Sequence, residues 1–185
     1  MCGIVGYVGR SGNDREYFAL DVVLEGLRRL EYRGYDSAGI AMYADGEISW
    51  RKKAGKVAEL DKELANRPVS DSVLGIGHTR WATHGGPTDI NAHPHVVDGG
   101  KLAVVHNGII ENFSELRTEL IDKGAHFASE TDTEIAATVL ADVFHGEAEG
   151  DLTRAMQLAC QRFEGAFTLL AIHADQPDRI VAARR

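Results

Sequence analysis

The chain opens with the stretch Met1-Cys2-Gly3-Ile4-Val5-Gly6-Tyr7-Val8, in which a cysteine stands directly before a run of small and apolar residues. The run from 3 to 8 predicts a short buried strand, and the turn-forming residues at 9–14 end it. Initiator methionine is usually removed when the next residue is as small as cysteine. Removal would leave Cys2 with a thiol and a free α-amine, whose ordinary pKa values are about 8.5 and about 8.

Such a cysteine carries its own base, because the α-amine can take the thiol proton directly or through a water. The opening stretch is therefore consistent with an N-terminal nucleophile. The alternative is that Cys2 is only a small residue near a chain terminus, and the opening stretch alone leaves this alternative the stronger.

The composition is that of a globular domain with ample core material, since 44% of the 185 residues are hydrophobic and 26% are charged. With 28 acidic and 20 basic residues the net charge is −8, which disfavours a nucleic acid or an anionic membrane as partner. No apolar run approaches the roughly 20 residues that span a bilayer, and no signal-peptide pattern is present. Only Cys2 and Cys160 are cysteines, so a reducing cytoplasm is favoured over a disulfide scaffold.

Hydrophobic periodicity predicts a mixture of strands and helices. Helices are predicted near 20–30, 56–66, 113–120, 132–144 and 152–163, and strands at 3–8, 37–43, 47–53, 73–79, 102–106, 166–172 and 179–183. Residues 80–100 are expected to be mostly loop, and a turn is expected around Pro177. The strands at 102–105 and 169–172 are apolar at successive positions, so both of their faces are predicted to be covered. This favours layered packing with helices outside the sheets.

A second stretch leaves a predicted strand and enters a glycine-rich loop: His78-Thr79-Arg80-Trp81-Ala82-Thr83-His84-Gly85-Gly86-Pro87. An arginine at that junction can make a bidentate pair with a carboxylate. Trp81 can form an apolar wall or lid over a ligand. A turn with one surface arginine and a tryptophan at the edge of the core explains the same residues equally well.

Two further stretches lie at element ends. In His106-Asn107-Gly108 the amide of Asn107 and the next backbone N–H can converge on one oxygen, as an oxyanion hole requires, although Asn-Gly is more often simply a turn. In 129–134, Thr131 or Asp132 can cap a helix, and an Asp there can also face a ligand ammonium. On these residues alone, capping is the stronger explanation.

The histidines are concentrated in one part of the chain, at positions 78, 84, 93, 95 and 106. Such a concentration of histidines is also found in zinc sites. The group has no cysteine partner and no glutamate at a helical spacing, and His93-Pro94-His95 directs its two side chains to opposite sides. We therefore expect no metal and interpret these residues as loop-stabilising or as part of a site rim. Cys160 lies on the apolar face of its predicted helix and is interpreted as a core residue.

Taken in order, these stretches resemble the class II glutamine amidotransferases. The resemblance covers nearly the whole chain and rests on the opening residues, Arg33-Gly34-Tyr35-Asp36-Ser37-Ala38-Gly39, residues 78–85, Asn91-Ala92-His93-Pro94-His95, residues 106–112 and residues 129–134. Within the class, the chain looks most like the glutaminase domains of the isomerising glutamine–fructose-6-phosphate aminotransferases. The amidophosphoribosyltransferases share the opening and the 33–39 pattern, but they differ at 81–84 and after Gly108.

The resemblance implies an α+β fold of the N-terminal-nucleophile hydrolase type, a four-layer αββα sandwich with two antiparallel sheets between helix layers. It also implies a role for each matching residue. Cys2 would be the nucleophile and its own α-amine the base, while Asn107 and the Gly108 N–H would hold the oxyanion. Arg80 would bind the glutamine α-carboxylate and Asp132 its α-ammonium. Trp81, Thr83 and His84 would line the pocket, with Trp81 as a gate.

The implied reaction is hydrolysis of L-glutamine to glutamate and ammonia through a Cys2 γ-glutamyl thioester, without cofactor or metal. In the full-length enzyme, expected to be a homodimer, the ammonia would serve glucosamine-6-phosphate synthesis from fructose-6-phosphate. Residues 1–185 are expected to be most of one glutaminase domain, which in the family continues further and is followed by sugar isomerase domains. The alternatives are the glutaminase domain of a phosphoribosyl-type enzyme and a non-catalytic amino-acid-binding module.

Overall fold

The computed structural model describes residues 2–9, 18–70, 72–82 and 85–185. These residues form two sheets of four strands, with every neighbouring pair antiparallel. The first sheet has the order β1-β4-β2-β3, and its strands are β1 (Gly3–Val8), β2 (Ser37–Ala44), β3 (Glu47–Ala54) and β4 (Leu74–Arg80). The second has the order β5-β6-β7-β8, and its strands are β5 (His95–Val97), β6 (Leu102–Gly108), β7 (Phe167–His173) and β8 (Gln176–Arg184).

Helices cover the outer face of each sheet. They are α1 (Ala19–Leu30) and α2 (Val57–Asn66) on the first sheet, and α3 (Phe113–Asp122), α4 (Asp132–His145) and α5 (Leu152–Arg162) on the second. A separate apolar cluster between the sheets joins Ile76 of β4 to Val105 of β6 and Ile172 of β7. The predicted α+β fold with four αββα layers is confirmed. Among the described residues, no helix combines the length and apolar character that crossing a bilayer requires.

Strand β4 shows how the layers are set by sequence. Every residue of β4 is buried, because its two faces point into different layers. Leu74 and Ile76 face the second sheet, whereas Gly77 faces α1, where a Cβ atom would lie 2.4 Å from Val23 Cγ1. Glycine at 77 therefore lets α1 pack directly on the sheet. The alternation that places Leu74 and Ile76 between the sheets continues to His78 and Arg80.

One local prediction needs correction, and another gains a detail. The turn expected around Pro177 is wrong: the chain turns at residues 174–175, and Pro177 lies near the start of β8. Because β8 is an edge strand, a residue without an N–H is tolerated there. The stretch 80–100 is mostly irregular, as predicted, but it also contains the three-residue strand β5, which is too short to produce a recognisable alternation.

Strand pairing brings four chain segments to one end of the sandwich. Gly3 of β1 pairs with Thr79 of β4, so Cys2 comes level with Arg80. Strand β6 ends at Gly108, and α4 begins at Asp132.

Candidate active site

A cavity of about 210 Å³ opens where these segment ends meet. Its lining includes five residues that the sequence singled out, together with two histidines, two threonines and one isoleucine: Cys2, Arg80, Trp81, Gly108 and Asp132, with His93, His106, Thr131, Thr133 and Ile109. Asn107 lies beside it and contacts the backbone of Cys2. Thr83 and His84 lie outside the described residues, so their predicted contacts stay predictions.

The Cys2 thiol is held by the loop that follows β4. Its Sγ accepts a hydrogen bond from the backbone N–H of Trp81 at 3.2 Å and lies 3.6 Å from the carbonyl oxygen of the same residue. Burial raises the pKa of the Cys2 thiol, against the opposing effects of the Trp81 N–H, the N-terminal positive charge and Arg80. The resting thiol is therefore protonated near neutral pH, and a nucleophilic role requires a base.

Asn107 and Gly108 end β6 next to this sulfur. The Asn107 Nδ2 donates to the carbonyl oxygen of Cys2 at 3.4 Å, and its Oδ1 lies 2.8 Å from His78 Nε2. Gly108 has a φ of 116°, and a Cβ atom there would lie 2.2 Å from the carbonyl oxygen of Ala166. Only glycine fits this backbone position without strain. The amide side chain and the following backbone N–H therefore sit together at the cavity edge.

Arg80 is a buried cation, only 4% exposed. Its guanidinium donates to the carbonyl oxygens of Gly85 at 3.1 Å and Gly86 at 3.3 Å, and it lies 3.9 Å from Asp36 Oδ1. Asp36 also accepts the backbone N–H of Ala82, so the same carboxylate orients both the arginine and the loop after it. A guanidinium fixed in this way is suited to binding a carboxylate.

The helix capping predicted for this segment is made by Thr131, and the carboxylate of Asp132 has other partners. Thr131 is the N-cap and accepts a hydrogen bond from the N–H of Glu134. The Asp132 Oδ2 instead accepts the backbone N–H of Ile110 at 2.9 Å, and its Oδ1 lies 3.8 Å from His106 Nδ1. The cavity is thus lined by a buried cation and a buried carboxylate, which is the charge pattern complementary to an amino-acid zwitterion.

Trp81 stands at the rim, with 54% of its surface exposed. This position agrees with a wall or gate, because the ring borders the cavity while remaining largely in solvent.

Four buried histidines lie around the base of the cavity: His78, His93, His95 and His106. Thr133 Oγ1 lies 2.8 Å from His93 Nε2 and 2.9 Å from His106 Nδ1, and Thr131 Oγ1 lies 2.9 Å from His95 Nε2. Burial lowers the pKa of His78 to about 4, and it lowers the pKa values of His93 and His95 well below their usual range. These rings are therefore neutral at physiological pH, where they act as hydrogen-bonding groups.

Acid should destabilise the fold through these histidines. Their pKa values are lower in the folded than in the unfolded chain, so the unfolded chain binds more protons as pH falls from about 6.5 toward 4, and stability is lost over that window. The lowered pKa of His78 alone corresponds to a loss of unfolding free energy on the order of 3 kcal/mol across this pH window.

The measurement is the free energy of unfolding at several pH values between 7.5 and 4. His95→Gln should flatten its pH dependence, whereas His126→Gln, at an exposed position, should leave it unchanged. An identical slope in His95→Gln and the unmodified chain would contradict the role of His95.

In the part of the chain that the structure describes, one grouping of potential metal ligands lies at the other end of β6. His145 Nε2 is 2.8 Å and His173 Nε2 is 3.0 Å from the carboxylate of Asp98. His173 Nδ1 accepts the backbone N–H of Asp175, so its Nε2 carries the proton and donates to Asp98. The geometry is that of a hydrogen-bonded clamp that fastens α4 to the second sheet.

A family model described as a glutamine amidotransferase domain matches residues 78–185, which is more than half of the chain. The chain belongs to the glutamine amidotransferases. The matched region contains Arg80, Asn107, Gly108 and Asp132, while Cys2 lies before it. The resemblance of the sequence motifs to this family is confirmed.

Curated relatives of this amidotransferase chain match it over its whole length. Proteins named glutamine–fructose-6-phosphate aminotransferase [isomerizing] are 78% identical in Corynebacterium efficiens and 60% identical in Streptomyces coelicolor, over the whole chain. The chain spans only 30% and 29% of their respective lengths.

Two solved structures share the amidotransferase fold at 26% identity over 92% of this chain and 35% of theirs. One is the glutamine phosphoribosylpyrophosphate amidotransferase of B. subtilis with ADP and GMP, at a TM-score of 0.72. The other is described as the allosteric regulatory enzyme of purine biosynthesis, at a TM-score of 0.74.

Sequence reasoning missed two side chains that hold residues of this candidate site in place. Asp36 was quoted only as part of a motif, and His78 only as one of several histidines. Both act through partners far along the chain, Asp36 on residues 80–82 and His78 on Asn107. Local spacing carries no signal for such contacts.

Proposed function

We propose that this amidotransferase domain hydrolyses L-glutamine to glutamate and ammonia, with the Cys2 sulfur as nucleophile. The observation that carries the proposal is the shared cavity, in which the sulfur lies together with a buried cation and a buried carboxylate. Arg80 would bind the α-carboxylate of glutamine and Asp132 its α-ammonium. The side-chain amide of the substrate would then extend toward Cys2.

The first half of the reaction forms the thioester. The α-amine of Cys2, exposed once Met1 is removed, takes the thiol proton, and the thiolate attacks the side-chain amide carbon. The negative charge moves to the amide oxygen, where the Nδ2–H of Asn107 and the N–H of Gly108 stabilise it. When the intermediate collapses, the C–N bond breaks and the ammonium form of the α-amine returns its proton to the leaving nitrogen, which departs as ammonia.

The second half regenerates the enzyme. Water attacks the thioester carbon while the α-amine accepts its proton, the C–S bond breaks, and glutamate leaves as the thiol is restored. Trp81, Thr83 and His84 would line the pocket, with Trp81 as the gate that limits entry of water until ammonia has moved on.

The relatives also suggest a partner and a setting for the domain. The 78% identical relative is named for transfer of the glutamine nitrogen to fructose-6-phosphate. We extend that role to this chain: its ammonia would serve glucosamine-6-phosphate synthesis at a sugar isomerase domain, in a cytoplasmic homodimer. A phosphoribosyl-type role is less well supported, because the solved structure named for that activity is only 26% identical to this chain.

A glutamine analogue carrying an electrophilic diazoketone in place of the amide tests the proposal. It should add one label to the chain, at Cys2, with parallel loss of ammonia release, and L-glutamine should protect against labelling. The D-enantiomer should label far more slowly, because Arg80 and Asp132 fix the stereocentre. The Cys160→Ser variant should label like the unmodified chain.

Intact mass of the unlabelled chain reports whether Met1 has been removed. A label at Cys160, or ammonia release from chains that retain Met1, would contradict the mechanism. A chain that has lost Met1, binds glutamine and releases no ammonia would instead support the non-catalytic binding module.

A further inference from the structure

His78 is placed by strand alternation on the inner face of the first sheet. It follows Leu74 and Ile76 at a spacing of two, and both of these side chains belong to the apolar cluster between the sheets. Asn107 follows Val105 in the same way on the facing strand β6. The contact between His78 Nε2 and Asn107 Oδ1, at 2.8 Å, therefore closes the inter-sheet core at the end that carries the cavity.

The orientation of the Asn107 amide decides its chemistry, since its nitrogen can stabilise an oxyanion and its oxygen would repel one. Two observations fix that orientation. The group facing Cys2 lies 3.4 Å from a backbone carbonyl oxygen, which only accepts hydrogen bonds, so this group is the Nδ2 donor. The oxygen is then turned to His78, whose Nε2 must carry a proton to donate to it.

The opposite arrangement would be costly. If the amide were turned round, its nitrogen would face His78 Nε2. That ring nitrogen would then have to be unprotonated, and the ring proton would move to Nδ1. Within the described residues, His78 Nδ1 is buried and forms no hydrogen bond of acceptable geometry; the backbone of His106 lies close to the ring, but the well-formed contact is that of Nε2 with Asn107 Oδ1. A buried N–H left unpaired is destabilising, and the amide oxygen would in addition face the carbonyl oxygen of Cys2.

We propose that His78 is the positioning residue of the oxyanion site: its Nε2–H holds the Asn107 oxygen, so that the Asn107 nitrogen faces the developing negative charge. This inference rests on the proposed function, because the oxyanion is that of glutamine hydrolysis. His78 itself touches no reacting atom. Its contribution is made in the transition state, since the amide oxygen of bound glutamine carries little charge before attack.

The matched variants differ in where they place a donor. Gln at 78 can place an amide N–H close to the position of Nε2, whereas Asn is one methylene shorter and Leu carries no donor. His78→Leu and His78→Asn should lower kcat by about 10- to 100-fold, with KM for glutamine within about twofold of the unmodified chain. His78→Gln should restore most of kcat.

Coupling to Asn107 separates positioning from a general structural role. Added to Asn107→Ala, His78→Leu should lower kcat by less than about twofold further, because the group that it orients is already absent. A loss of the same size in both backgrounds, a rise in KM without a fall in kcat, or full activity in His78→Leu would overturn the proposal.

Ring-nitrogen NMR of the unmodified chain gives a test that does not depend on a variant folding. At pH 7 it should show His78 protonated at Nε2 and bare at Nδ1, with a hydrogen-bonded coupling to the Asn107 oxygen. A proton on Nδ1 would overturn the proposal. Absence of ammonia release from the unmodified chain would contradict the proposed function, while the NMR result would still decide how Asn107 is oriented.

Discussion

The Cys2→Ser variant is expected to release ammonia from glutamine at least about 10⁴-fold more slowly than the unmodified chain, while keeping its fold. Serine retains the shape of the side chain and its place beside the Trp81 N–H. Its hydroxyl is far less acidic and less nucleophilic than a thiol, so the same α-amine activates it much less effectively in a site shaped for sulfur. The measurement is ammonia and glutamate release, together with thermal unfolding to confirm the fold.

The same loss is expected when the thiol is kept and the amine is moved away. A lysine inserted between Met1 and Cys2 blocks removal of the initiator methionine, because the second residue is then large. The thiol remains, but burial holds its pKa above the ordinary value, and it has lost the base on its own residue. Ammonia release should fall to the level of Cys2→Ser.

Cys160→Ser is the matched control for both changes. Cys160 is half-buried on α5, away from the cavity, and should be replaceable without loss of ammonia release. Substantial hydrolysis by Cys2→Ser, or full hydrolysis by a chain with a blocked N-terminus, would contradict the N-terminal nucleophile.

Much of the fold follows from local patterns. Strands that are apolar at successive positions, such as 102–105, predict burial on both faces, and β6 is indeed covered by the first sheet on one side and helices on the other. Pro177 shows the limit of such patterns. Proline is typical of turns, but its cost in a strand depends on whether that strand lies at an edge, which only the sheet order decides.

The site was harder to predict from local patterns, because the role of each residue depends on partners far along the chain. Asn107-Gly108 is a common turn dipeptide, and its sequence gives no sign that Asn107 contacts the backbone of Cys2, 105 positions earlier. The sequence did not distinguish Thr131 from Asp132 as the N-cap of α4, whereas in the structure Thr131 has that role. The resemblance to a family supplied the set of residues, but the supporting contacts of Asp36 and His78 required the structure.

Asn107→Ala should lower kcat about 100- to 1,000-fold with little change in KM, the effect of removing one oxyanion donor. Asn107→Asp should be impaired at least as strongly, although it is the closer match in shape. Its carboxylate keeps an oxygen toward His78 and places a second, negatively charged oxygen where the donor stood. Steady-state kinetics of ammonia release, with glutamine varied, measures both constants.

Arg80→Ala provides the contrasting case, because a carboxylate bound remote from the reacting carbon is held equally in the ground state and the transition state. Its main effect should therefore be a raised KM for glutamine, with a much smaller fall in kcat. If Asn107→Ala raised KM and left kcat unchanged, the amide would be a substrate-binding group, and the oxyanion would have to be stabilised by Gly108 alone. If Arg80→Ala lowered kcat alone, the guanidinium would be acting on the loop that holds the Cys2 sulfur. The two variants thus assign the two ends of the cavity, one to the amino-acid group of glutamine and the other to its reacting amide.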